Sequence, residues 1–155
     1  MPWSTFENAS DVFADRVRAR FTAHRHHVLA TVAADGRPRQ WGTEVGFHEG
    51  EMWLGMPADT AKCRDLERDP RCSVHCAPID VDMVDGDAVI EATARLLDDT
   101  TSHEWIADAT GHPVSDDARV ALLEPIRVRL VTVEGEELVT RVWSPSSGLA
   151  EHRRR

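Results

Sequence analysis

Residues 27–56 read HVLATVAADGRPRQWGTEVGFHEGEMWLGM, and their pattern decides the fold class. Val28 to Val32 is a short run rich in β-branched and apolar residues, the composition of a strand. Ala34-Asp35-Gly36-Arg37 then forms a tight turn, with Gly36 supplying positive φ. Pro38 opens a return strand where a missing N–H is tolerated. Trp41, Thr43, Val45 and Phe47 alternate along that return. His48-Glu49-Gly50-Glu51 is the next turn, and Met52 to Met56 a third strand. The three strands are expected to form an antiparallel meander.

Downstream, Thr60 is placed to cap a short helix over 61–67, which Asp69-Pro70 stops. A strand follows over 71–77, with Cys72, Val74 and Cys76 on one face as ordinary buried thiols and apolar groups. The acid-rich stretch 77–87 lacks the calcium-loop pattern and is expected to be a solvated loop. Ala88 to Leu97 is a long strand. Thr101 and Glu104 fit a capping box for a helix through Trp105, Ile106 and Ala109, broken at Gly111-His112-Pro113. Ser115 or Asp116 opens one more expected helix through Val120 and Leu123, ended by Pro125. Strands over 126–133 and 138–142 flank a turn at Glu134-Gly135-Glu136. Upstream, Ser4 and Glu7 fit another capping box. Phe13, Val17 and Phe21 recur every fourth residue, a packing helix of about 12 residues. The tail from Glu151 to Arg155 is expected to fray.

The sum is a mainly β protein: a six- to seven-stranded antiparallel split β-barrel with short flanking helices. A doubly wound βαβ fold is excluded by the hairpin order. With 155 residues, a single domain over 1–155 is expected, its core over 12–149 and a frayed end over 150–155.

The 27 acidic residues against 18 Lys and Arg give a net charge of -9, which argues against nucleic acid or an anionic membrane as partner. Three cysteines with no CxxC pair oppose a secreted disulfide framework. No signal peptide or apolar span is visible, so a cytoplasmic location is expected. His24-Arg25-His26-His27 lacks a His-Glu-x-x-His frame, and no metal ligand is assigned. The richest chemistry lies at Thr60-Ala61-Lys62-Cys63-Arg64. A helix N-terminus offers free N–H groups to an anion, Thr60 adds a hydroxyl, and Lys62, the only lysine of the chain, adds charge. Arg37 and Arg39 could complete a basic wall. A plain surface turn is the competing reading.

His27 to Val32, Asp35 to Pro38, Trp53 to Met56, and Thr60-x-Lys62-x-x-x-Leu66-x-x-Asp69-Pro70-Arg71 together resemble the pyridoxamine 5'-phosphate oxidase-like family. Residues 12 to about 149 follow the family order, including Trp143-Ser144-Pro145 and Gly148-Leu149. The resemblance implies a small barrel that forms a homodimer and binds FMN, with the deazaflavin F420 as alternative, across the subunit interface. By position, Thr60 and Lys62 match groups that approach the cofactor phosphate. Arg39, Gln40, Trp41, Gly42 and Thr43 match the strand beside the ring. Trp53, Leu54, Gly55 and Met56 match the strand bordering the phosphate end. Trp143 matches a late aromatic near the partner subunit's cofactor. Relatives commonly carry arginine where this chain has Ala61, and Trp-Arg-Pro-Gly where it has Trp143-Ser144-Pro145-Ser146. Two functions follow from the resemblance. One is a flavin- or deazaflavin-dependent oxidoreductase acting on a small molecule. The other is a non-catalytic dimeric module that binds a flavin, haem or other planar ligand, or has lost its cofactor.

Overall fold

The computed structural model describes residues 1–155. Two helices lead, α1 (Trp3–Ala9) and α2 (Asp11–Thr22). Phe13, Val17 and Phe21 of α2 are buried, as their four-residue spacing requires. Neither capping box forms. Glu7 pairs with Arg18 at 2.5 Å instead, and the later helix is capped by Asp98, which accepts the Thr101 N–H at 2.8 Å.

The first hairpin joins β1 (His27–Val32) to β2 (Pro38–Thr43) about the expected turn, with His27 opposite Thr43 and Val32 opposite Pro38. Gly36 takes φ +83° at the turn. The three-stranded meander, however, does not form. The return strand ends at Thr43, and β3 (Gly46–His48) pairs with β4 (Glu51–Pro57) as a second, separate hairpin. The sheet order is β2-β1-β5-β6-β7-β4-β3, so the two hairpins occupy opposite ends. Only Glu44 and Val45 connect them. Three Cα–Cα steps of 3.8 Å reach at most about 11 Å, so the sheet must curl until its ends nearly meet.

The sheet has nine strands rather than six or seven. After α3 (Ala61–Arg68) come β5 (Arg71–His75), β6 (Asp87–Leu96) and α4 (Asp99–Thr110). The helix expected from Ser115 is a strand instead, the start of β7 (Ala118–Glu134). Val120, Ala121, Leu122 and Leu123 are all at most 3 % exposed. A strand covered on both faces carries a continuous apolar run, which mimics helical spacing. On one side β7 pairs with β6. On the other it pairs with β4 through Leu123 and with β8 (Glu137–Ser144) from Val128. Pro125 lies between those two partners, beside the β6 bulge at Glu91/Ala92, where its missing N–H leaves no gap in a ladder. The tail does not fray: β9 (Gly148–Arg154) pairs with β8 throughout. Its side chains are exposed, yet Arg141 lies opposite Glu151 in the ladder and pairs with it at 2.8 Å.

One cluster of 23 buried residues fills the interior. His27 is part of this frame. Its Nδ1 accepts the Ala77 N–H at 3.1 Å, so Nε2 carries the proton and donates to the Phe21 carbonyl at 3.0 Å. Burial holds its pKa below the ordinary value. No helix is long and apolar enough to cross a membrane.

Val74 and Cys76 are fully buried, and Cys72 is half-buried on the same face of β5. The Cys72 Sγ reaches the Ala92 carbonyl at 3.6 Å, and desolvation pushes its pKa up to about 12. A thiol reagent is therefore expected to label Cys72 and Cys76 slowly in the native protein at pH 8 and fast in denaturant. Rapid native labelling of both, read by peptide mass, would contradict this packing.

Candidate cofactor cleft

The seam between the sheet ends holds a cleft of about 430 Å³, within the range of ligand pockets. Its lining includes Gly42 and Thr43 at the end of β2, Trp53 and Gly55 of β4, and Lys62 of α3. Five of the twelve residues predicted for the site thus meet here. Three lining residues carried no motif and were missed: His26, Glu44 and Ile106. His26 and Glu44 continue the first hairpin beyond the His27–Thr43 pair, and Ile106 reaches the cleft because α4 folds across, which local pattern does not encode.

Strand alternation decides which predicted residues can take part. Along β4, Met52, Leu54 and Met56 are buried, while Trp53, Gly55 and Pro57 face outward. Leu54 and Met56 therefore support the cleft from the core side, and only Trp53 and Gly55 border it. The Trp53 indole lies across Gly46, where an added Cβ would sit 2.5 Å from Nε1. Glycine at 46 is what leaves room for the ring. On β2, Arg39, Trp41 and Thr43 share the face toward α3, and Gln40 points the other way into solvent. Trp143 is 3 % exposed, with its ring 4.7 Å from Phe6; within this chain it is a core residue, away from the cleft.

Thr60 caps α3 as expected, its Oγ1 accepting the Cys63 N–H at 3.2 Å. The same hydroxyl donates to the Pro57 carbonyl at 2.8 Å, so its proton is already committed. Lys62 extends from the first turn of α3 to the Gly42 carbonyl, Nζ donating at 3.2 Å. Desolvation lowers its pKa, and no carboxylate opposes the shift. The basic wall is smaller than expected. Arg37 folds back on Asp35 within its own turn. Arg64 bonds the Asp59 carbonyl, and Arg39 lies 3.7 Å from Asp65. Lys62 is left as the ammonium of the cleft. Opposite it, His26 and Glu44 approach at 3.5 Å. Away from the cleft floor, His48, Glu49 and Asp108 bring three ligating atoms within 4.8 Å, with His48 Nε2 hydrogen-bonded to Asp108 at 2.9 Å.

An antiparallel sheet curled on itself, helices at its flanks and a cleft at its seam place the protein in a class with many solved members. A family model described as pyridoxamine 5'-phosphate oxidase matches residues 13–133, and the chain belongs to that pyridoxamine 5'-phosphate oxidase-like family. Similar structures include a pyridoxamine 5'-phosphate oxidase-related, FMN binding protein from Nostoc punctiforme. It is 14% identical with a TM-score of 0.63, over 94% of this chain and 96% of that one. PhzG from Burkholderia lata, in complex with tetrahydrophenazine-1-carboxylic acid, is 12% identical with a TM-score of 0.70, over 99% and 93%. A heme binding protein from Mycobacterium smegmatis is 15% identical with a TM-score of 0.59, over 89% and 86%. At these identities the likeness is one of fold.

Proposed function

We propose that this chain is a split-barrel oxidoreductase that binds FMN, with F420 the alternative, as a homodimer and acts on a small molecule. One observation carries the reading: Gly42, Thr43, Trp53, Gly55 and Lys62, which the family resemblance matched to cofactor-binding positions, line a single cleft. The donor set fits such a group. The Trp53 indole and the open backbone at Gly42 suit a planar ring, and an ammonium without a carboxylate partner suits a phosphate. A bound flavin or deazaflavin would supply the hydride or electron chemistry. The chain's residues would hold and orient it: Lys62 and the free N–H groups of the α3 first turn at the phosphate, Trp53 and β2 at the ring. Gln40, facing solvent on β2, and Trp143 would serve a partner subunit or the packing beneath it.

A second reading has its own support. The committed Thr60 hydroxyl, Ala61, and the diversion of Arg37, Arg39 and Arg64 leave one side-chain cation for a phosphate. That favours a dimeric module holding a planar ligand weakly, such as haem, or none. The purified protein separates the two. Under the first reading its visible spectrum shows bound flavin, or the apo protein binds FMN or F420 with micromolar affinity by fluorescence titration. Silence toward both supports the module. Light scattering at micromolar concentration is expected to return about twice 17.3 kDa; a clean monomer would sink the dimer.

A further inference from the structure

Thr31 lies on β1 and is 2 % exposed. Its Oγ1 accepts the Trp41 indole N–H at 2.8 Å and donates to Asp65 Oδ2 at 2.9 Å. The polarity is forced. An indole can only donate, an ionised carboxylate can only accept, and a hydroxyl does both. Asp65, also 2 % exposed, takes Arg68 on its other oxygen at 2.9 Å, with Arg39 at 3.7 Å. Desolvation pushes the Asp65 pKa up, but hydrogen bonds from Arg68 and Thr31 and the charges of Arg39 and Arg68 outweigh it. The acceptor is thus kept ionised, and the bond from Thr31 is charge-assisted.

Both arms of this bridge end beside residues that line the cleft. Trp41 is next to Gly42 on β2, whose carbonyl receives Lys62. Asp65 stands three residues after Lys62, on the same face of α3. Two side-chain contacts therefore tie the first turns of α3 to β2. The one through Lys62 is solvent-facing, and the one through Thr31 is buried. Removing the hydroxyl would leave the indole N–H without its acceptor and Asp65 Oδ2 with only the Arg39 guanidinium at 3.7 Å, a penalty that favours separation of β2 from α3.

We propose that Thr31 is a positioning residue for the cleft: its hydroxyl couples the Trp41 indole to the Asp65 carboxylate and so fixes where α3 holds Lys62. The role in cofactor binding rests on the reading of the cleft given above; the coupling itself does not.

The experiment compares wild type with Thr31→Val, which keeps the shape but not the hydroxyl, and Thr31→Ser, which keeps the hydroxyl. Two measurements need no cofactor: the Trp41 indole N–H resonance and the titration of Lys62, both by NMR, the second unambiguous because the chain has one lysine. His26 and Glu44 also line the cleft and are followed as controls. In Thr31→Val the indole resonance is expected to move and Lys62 to titrate closer to an ordinary lysine as water enters. Thr31→Ser returns both to wild type. FMN affinity is expected to fall about tenfold in Thr31→Val and recover in Thr31→Ser. Wild-type values for the resonance and the titration in Thr31→Val, or no recovery in Thr31→Ser, overturn the proposal. If wild type binds neither FMN nor F420, the cofactor reading fails, while the two cofactor-free measurements still decide the coupling. Should Thr31→Val not fold, Trp41→Phe removes the indole N–H while keeping an aromatic ring and must move the Lys62 titration in the same direction; no movement is again contrary.

Discussion

Lys62→Ala is expected to weaken FMN binding by about tenfold to more than a hundredfold, with the far-ultraviolet circular dichroism unchanged. The ammonium makes one recorded hydrogen bond, to the Gly42 carbonyl, and has no carboxylate to compete with a ligand phosphate. A charge-assisted hydrogen bond is worth roughly 1.5–3 kcal/mol, which converts to that range of affinity. Little of this is offset by rearrangement, because Arg37, Arg39 and Arg64 are engaged elsewhere. The fold should survive, since Leu66 and Cys63, not Lys62, form the buried face of α3. The pH dependence has a defined sign. Desolvation lowers the pKa of the free ammonium, so wild-type affinity falls as pH rises through that depressed value, and the alanine variant lacks the step. Ala61→Arg should strengthen binding by adding a second cation to the first turn. Isothermal titration of the three proteins with FMN and F420 tests this. Equal affinity in Lys62→Ala and wild type would remove the phosphate site from this turn.

The first hairpin turn and the capped helix at Thr60 were legible because each is specified within a few residues. Gly36 makes the turn, and the Thr60 hydroxyl meets the Cys63 N–H three residues on. What failed was long-range. Nothing between Thr43 and Gly46 announces that the chain leaves one sheet end for the other. Alternation continues through Val45 and Phe47 as though one strand ran on. The start of β7 misled for a related reason: burial on both faces erases the period-two signal, and Val120 and Leu123 then match helical spacing. The strand β9 escaped notice because its stabilisation is a ladder and cross-strand ion pairs such as Arg153 with Glu137 at 3.1 Å, not an apolar face. The site follows the same division. Lys62 and Trp53 could be matched by motif, whereas His26 and Glu44 flank the ends of the first hairpin without a motif of their own, and Ile106 is brought in by α4.

The largest loss of stability is expected from Phe6→Ala, about 3–5 kcal/mol by the usual cost of deleting a buried phenyl ring. The helix that carries Phe6 has seven residues and no side-chain cap, too short to persist by its own hydrogen bonds. It is held by aromatic packing. Phe6 is fully buried, with ring centroids 5.0 Å from Trp3, 5.7 Å from Phe13 and 4.7 Å from Trp143. Those neighbours belong to α1, α2 and β8, so one ring joins the leading helices to the far side of the sheet. Trp3 extends the cluster to Phe47 of β3 at 4.9 Å. Alanine would leave a cavity facing three large rings, none of which can collapse into it without losing its own contacts. Domains of this size are stable by only about 5–15 kcal/mol, so the loss takes a large share. At about 2–4 °C per kcal/mol, calorimetry should record a fall in Tm of roughly 6–20 °C. Val12→Ala, at a side chain 72% exposed on the adjoining helix, should move it little. A Phe6→Ala protein that melts within a degree or two of wild type would mean that α1 is not clamped to the sheet by this ring.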